Sequence, residues 1–190
     1  MDEQVDEAVP QRSRWKLRKR WPWLVTLLVP VLIYNLTVWV PVATKLGEDD
    51  RNSAASVHVY RSWLVHPNDI TIDLMAVNDA ATVDLSRALF QAAEALKGRE
   101  FGRVTLARQG KAVFVMQGTD FAELGEAFSA GENPVYLLRT LPEKLYLPNG
   151  EPAFGTWSGG WLGVLTKQME DLNTFGPSWA AGEMQPAPAS

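Results

Sequence analysis

The chain has 190 residues, a net charge of −4, 46% apolar and 21% charged side chains, and no cysteine. That composition suits one packed domain plus extensions and excludes a disordered chain, a disulfide scaffold, a thiol enzyme and a cysteine-ligated zinc site. Two histidines argue against a multi-histidine metal centre, and an acidic total argues against nucleic acid as a partner.

Residues 1–20 form a basic segment in which Arg12, Arg14, Lys16, Arg18, Lys19 and Arg20 lead directly into an uncharged stretch, 21–43. Twelve of those 23 residues are Leu, Ile or Val, and Trp21, Trp23 and Trp39 stand near its ends. A helix of that length crosses a hydrocarbon core of about 30 Å, with tryptophans favouring the headgroup level. After Ala43 the chain offers only Lys45 and Arg51 beside Glu48, Asp49 and Asp50. The positive-inside rule then predicts an uncleaved single-pass signal anchor with a cytoplasmic N-terminus. In a bacterium this means an inner-membrane protein with a periplasmic domain. A cleaved signal peptide is the rival, but its apolar region is normally about 7–15 residues. Inside the span, Pro30 predicts a mild kink and Asn35 a hydrogen bond to a neighbouring helix or an amide tolerated near the helix end.

A polar linker, 44–56, precedes an extracytoplasmic α+β domain over 57–175, and a flexible tail is expected over 176–190. Val57, Val59, Trp63 and Val65 suggest an interrupted first strand, and Ile70, Ile72 and Leu74 alternate as a second. Leu85, Ala88, Leu89, Ala92 and Leu96 recur at helical spacing after Thr82, a plausible N-cap. Gln109-Gly110 marks a hairpin that pairs Leu106 with Val113 and Val104 with Val115. The second hairpin strand is apolar on both sides, which calls for a cover on each. A helix with Phe121, Leu124 and Phe128 follows. Asn133-Pro134 restarts helix, and Leu145 and Leu147 allow a short strand. A last helix over 160–173 would bury Trp161, Leu165, Met169 and Leu172 along one stripe. From Ile70 to Leu147 the order can be read as a split βαβ (ferredoxin-like) arrangement.

Chemistry is sparse. Thr156-Trp157-Ser158-Gly159-Gly160 misses the serine-hydrolase elbow by its first glycine, and both histidines precede the serine, against the order of that class. Ser158 is better read as the cap of the last helix. Trp157 on its glycine-rich loop is a candidate binding anchor or a plug over the sheet. The densest polar cluster is His58, Tyr60, His66, Asp69 and Asp73, where a histidine beside a carboxylate could do acid–base work. No cofactor or metal is indicated; Asp79 and Asp84 lack the ligand spacing of a calcium loop. Two functions follow. The first is a membrane-anchored, non-enzymatic interaction or accessory module, with the lipid bilayer and a protein in or near it as partners. The alternative is a membrane-anchored enzyme or small-ligand sensor using the His58–Asp73 region.

Overall fold

The structure, a computed structural model, describes residues 21–62, 68–78 and 80–185. The chain divides after Tyr34 into two units. The first unit contributes the opening turns of helix α1 (Trp21–Gly47), whose Leu28, Leu32 and Ile33 are more than half exposed. Over Leu28–Gly47, α1 is long and apolar enough to cross a membrane, and only 11% of that window is buried. A signal sequence shares that length and composition.

The second unit begins inside the same helix, at Asn35. After α1, a 3-10 turn (Asp50–Ala54) leads into β1 (Ala55–Arg61) and β2 (Ile70–Val77). Helix α2 (Thr82–Ala95) crosses over to β3 (Arg103–Arg108), which turns into β4 (Lys111–Gln117). Helices α3 (Gly118–Ser129) and α4 (Pro134–Thr140) precede the two-residue β5 (Leu145–Tyr146), and α5 (Trp161–Ala181) closes the fold. The architecture is α+β.

The five strands lie in sequential order, β1 to β5, with β2 and β3 parallel and the other neighbours antiparallel. This corrects the split βαβ expectation. A split unit would place another strand between β2 and β3, whereas these two pair directly from Ile70–Val104 to Leu74–Arg108. Element order alone cannot distinguish the two, because both need the same crossover helix.

One row of partners, Arg61–Ile70–Val104–Met116–Leu145, crosses all five strands at one end of the sheet. A second row, Val59–Ile72–Leu106–Phe114, lies on the same apolar face, where Phe175 of α5 meets Phe114 at 5.6 Å. The hairpin reaches this arrangement through a bulge. Its turn pairs Arg108 with Lys111 and Ala107 with Ala112, then skips Val113, so Leu106 faces Phe114 and Val104 faces Met116. The extra residue shifts the expected register by one and turns the larger side chains of β4 towards the helices. Gln109 and Gly110 both take positive φ, at 50° and 81°, as a two-residue hairpin loop of this kind requires.

Three further boundaries differ from expectation. Ala81, not Thr82, caps α2, and Asp84 closes the turn by accepting from the Ala81 N–H. The linker is structured: α1 runs to Gly47, and Asp49 caps the 3-10 turn that follows while holding Arg51 and Gln91. The Asp49 carboxyl is held well below the usual carboxylate range, chiefly by the Arg51 hydrogen bond.

The expected tail is also helical as far as Ala181. Phe175 and Trp179 continue the buried seam of Gln168 and Leu172, and Trp179 donates through Nε1 to the Ala107 carbonyl at 2.9 Å. Gly176 and Pro177 look like breakers, yet each fits. A Cβ on residue 176 would collide with Thr82, so the glycine lets α5 cross α2 closely, and Pro177 is solvent-exposed within the helix. Trp161, expected in the core, is 70% exposed. It shares the azimuth of the seam, seven residues before Gln168, but α5 starts beyond the end of the sheet.

These placements predict opposite outcomes for two tryptophans. Trp179→Ala should cost about 3–5 kcal/mol in denaturant unfolding, as for a fully buried aromatic. Trp161→Ala should stay within about 0.5 kcal/mol of the parent, as a surface change does. Equal losses at both positions would contradict the overhang of α5.

Candidate functional site

Strand pairing brings three members of the predicted polar cluster together. His58 lies opposite Asp73 and Tyr60 opposite Thr71, all on the face of the sheet turned away from the helices. Asp73 is 3% exposed. Its Oδ2 accepts from the Gly110 N–H at 2.8 Å and from the Tyr60 hydroxyl at 3.3 Å, while Oδ1 has no partner among the described residues. Burial first, and the neighbouring Asp73 charge second, push the Tyr60 hydroxyl up, so it remains a donor through the neutral range. His58 is exposed. The structure does not bring Asp69 to this group: it precedes β2, four residues or about 13 Å of strand from Asp73. His66 lies outside the described residues, as do Trp63, Val65 and Asp79.

The chemistry this arrangement supports is anchoring. A strand-borne carboxylate reaches a hairpin-turn amide and pins the β3–β4 turn across the end of β2. Charge-assisted bonds of this kind are the stronger class. A carboxylate in an alternating pattern normally faces water, so the strand pattern does not announce a buried Asp73. Only the fold shows that Gly110 returns to it.

The glycine loop has a different construction from the one expected. Ser158 is exposed and does not cap α5; Gly160 is the N-cap residue and no side chain fills that role. Trp157 is 36% exposed, and its Nε1 donates to Asp171 Oδ2 at 2.6 Å. Burial pushes the Asp171 carboxyl up, against the lowering effect of that bond. Lys167 stands 5.8 Å from the centre of the ring. Trp157 therefore straps the loop onto α5 while remaining partly exposed. Asp171 escaped notice in the sequence because nothing in its spacing from Trp157 is periodic.

Two more features were not visible from sequence. Buried Gln168 accepts from Arg139 at 2.7 Å and donates to Glu143 at 2.6 Å, tying α4 and the following 3-10 turn (Pro142–Lys144) to α5. Between α3 and α4 lies an open cavity of about 560 Å³ bordered by Glu123, Glu126, Glu132, Glu143 and Lys144. Lys144 bridges Asp120 and Glu123 there, at 3.1 and 2.9 Å. Among the described residues no group of three His, Asp or Glu side chains is arranged to hold a metal ion.

The Tyr60–Asp73 contact makes a titration test. In Asp73→Asn, the Tyr60 hydroxyl should titrate lower than in the parent, still above a free tyrosine because burial remains the larger cause. Resolved tyrosine NMR signals followed against pH would show it; an unchanged titration would remove the contact. No protein-family model, no curated protein and no solved structure matches the chain, so the functional reading rests on its own geometry.

Proposed function

We propose that the protein is a membrane-anchored, non-enzymatic interaction or accessory module, with α1 as an uncleaved anchor and the α+β domain outside the cytoplasm. The observation that carries this reading is the sharing of α1 between the two parts. Asn35 Oδ1 accepts from the Arg61 N–H at 2.8 Å, and Val38 and Val42 are buried in the domain core. A signal peptide is discarded after cleavage; removing this helix would uncover core side chains and orphan a backbone donor. The six cations before Trp21 favour a cytoplasmic N-terminus. The accessory role draws on the exposed Trp161, Leu162 and half-open Trp157, large apolar groups on one helix and the loop before it.

A second reading, an enzyme or small-ligand sensor, draws on the unpartnered Asp73 Oδ1 beside Tyr60. The two part in one experiment. The full-length protein, gently solubilised from membranes, should bring down a stoichiometric protein partner, and Asp73→Asn should leave that recovery intact. A partner-free protein that binds a small molecule only with Asp73 present would favour the second reading.

Topology is tested separately. A reporter active only outside the cytoplasm should work when fused after Gln185, and the mature protein should retain its N-terminal peptides. An active cytoplasmic reporter at that position, or a new terminus near Thr44, would contradict the anchor.

A further inference from the structure

The end of the sheet at which the chain enters the domain also carries its most exposed apolar side chains. Asn35 is bonded to Arg61, and Arg61 belongs to the terminal row Arg61–Ile70–Val104–Met116–Leu145. Helix α5 runs towards that row in reverse. Trp179 sits at Ala107, near the hairpin turn, whereas Gln168 sits at Glu143, two residues before Leu145. Trp161 lies seven residues further out, about 10 Å at 1.5 Å per residue. Trp161 and Leu162, 70% and 69% exposed, therefore project past the same end of the sheet that receives Asn35.

Helix length decides what lies there. Arg18, Lys19 and Arg20 set the inner boundary of the apolar stretch at about Trp21. From Trp21 to Tyr34 the helix is about 21 Å long, short of a hydrocarbon core of about 30 Å, which takes about 20 residues. The outer boundary then falls near Val40, beyond the point where Asn35 and Val38 have already joined the domain. The side of α1 turned from the core suits that depth: Leu36, Trp39 and Val40 are 40–46% exposed. On the anchor reading, the span runs on into the docked part of α1 and brings the entry end of the domain against the bilayer.

Resting on the anchor reading above, we infer that Trp161 and Leu162 insert into the lipid headgroup layer, giving the domain a second membrane contact besides α1. Tryptophan suits the site because its ring favours the bilayer interface. The overhang supplies the reach, since the seam of α5 continues past the sheet and Trp161 and Leu162 stay exposed among the described residues. A second contact at this end of the sheet adds to the hold that α1 has on the domain's orientation.

The chain has no cysteine, so a single label is unambiguous. Leu162→Cys and, as control, Lys111→Cys beside the hairpin turn carry an environment-sensitive fluorophore. Each full-length protein is reconstituted into phosphatidylcholine vesicles containing doxyl-labelled phosphatidylcholine. Both positions are exposed, and far-UV circular dichroism with the parent spectrum confirms the fold. The label at 162 should shift to the blue, lose its quenching by iodide and be quenched by the doxyl lipid, while the label at 111 keeps its iodide quenching. Iodide quenching at 162 equal to that at 111 would overturn the inference and leave the anchor standing. Shielding from iodide without doxyl quenching would assign the surface to a protein contact and overturn it too. Failure of the parent protein to float with the vesicles would overturn the anchor and this inference together.

Discussion

The fold depends on a helix whose outer turns belong to the α+β unit and whose first turns do not. The last three turns of α1 complete the core of the α+β domain: Val38 and Val42 are as buried as Ile72 or Leu106, and the Asn35 amide occupies the final backbone donor of β1. An unpaired donor at a part-buried strand end costs about 1–3 kcal/mol, so the bond specifies where along α1 the domain begins. The far end of the same segment is fastened as well. Asn52 reaches the Leu46 carbonyl and Gln91, and Lys45 pairs with Glu94 at 3.3 Å. Domain and helix are joined along a length, with no hinge between Asn35 and Gly47.

The opposite side of the fold follows from a single long helix. Helix α5 carries Leu172, Phe175 and Trp179 onto the sheet, and its crossing with α2 is close because residue 176 has no side chain. Gln168 ties it to α4 and the 3-10 turn through Arg139 and Glu143. Before Gln168, Val164 and Leu165 are half-buried and Lys167 stands over the Trp157 ring, and only the first turn, with Trp161 and Leu162, is strongly exposed among the described residues. The sheet's other face is held by Asp73, which fixes the hairpin turn through Gly110 and keeps the bulged register in place.

Much of this was legible in the sequence. The uncharged stretch, the alternation of Ile70, Ile72 and Leu74, the Gln109-Gly110 turn and the Asn133-Pro134 start each act through local chemistry, and each stands where that chemistry puts it. What was hidden depends on non-local geometry. A one-residue bulge at Val113 moves the register, and no residue type announces it. Helix α5 was cut short because Gly176 and Pro177 are breakers in isolation, and only the seam from Leu172 through Phe175 to Trp179 argues past them. Trp161 lies on the predicted stripe, but a stripe carries no information on where the sheet ends. Among the candidate site residues, strand register unites His58, Tyr60 and Asp73 and excludes Asp69, a distinction that proximity in sequence conceals.

The central claim, that the outer turns of α1 are a structural part of the domain, is tested most directly by amide hydrogen exchange on residues 35–185 freed from the rest of the helix. Without a bilayer, protection of the helix amides can come only from docking. The amides of Val38 to Leu46 should open with the same free energy as those of Ile72 and Leu106, as members of one cooperative unit do. Exchange of those helix amides at the rate of a frayed terminus, with the strands still protected, would contradict it.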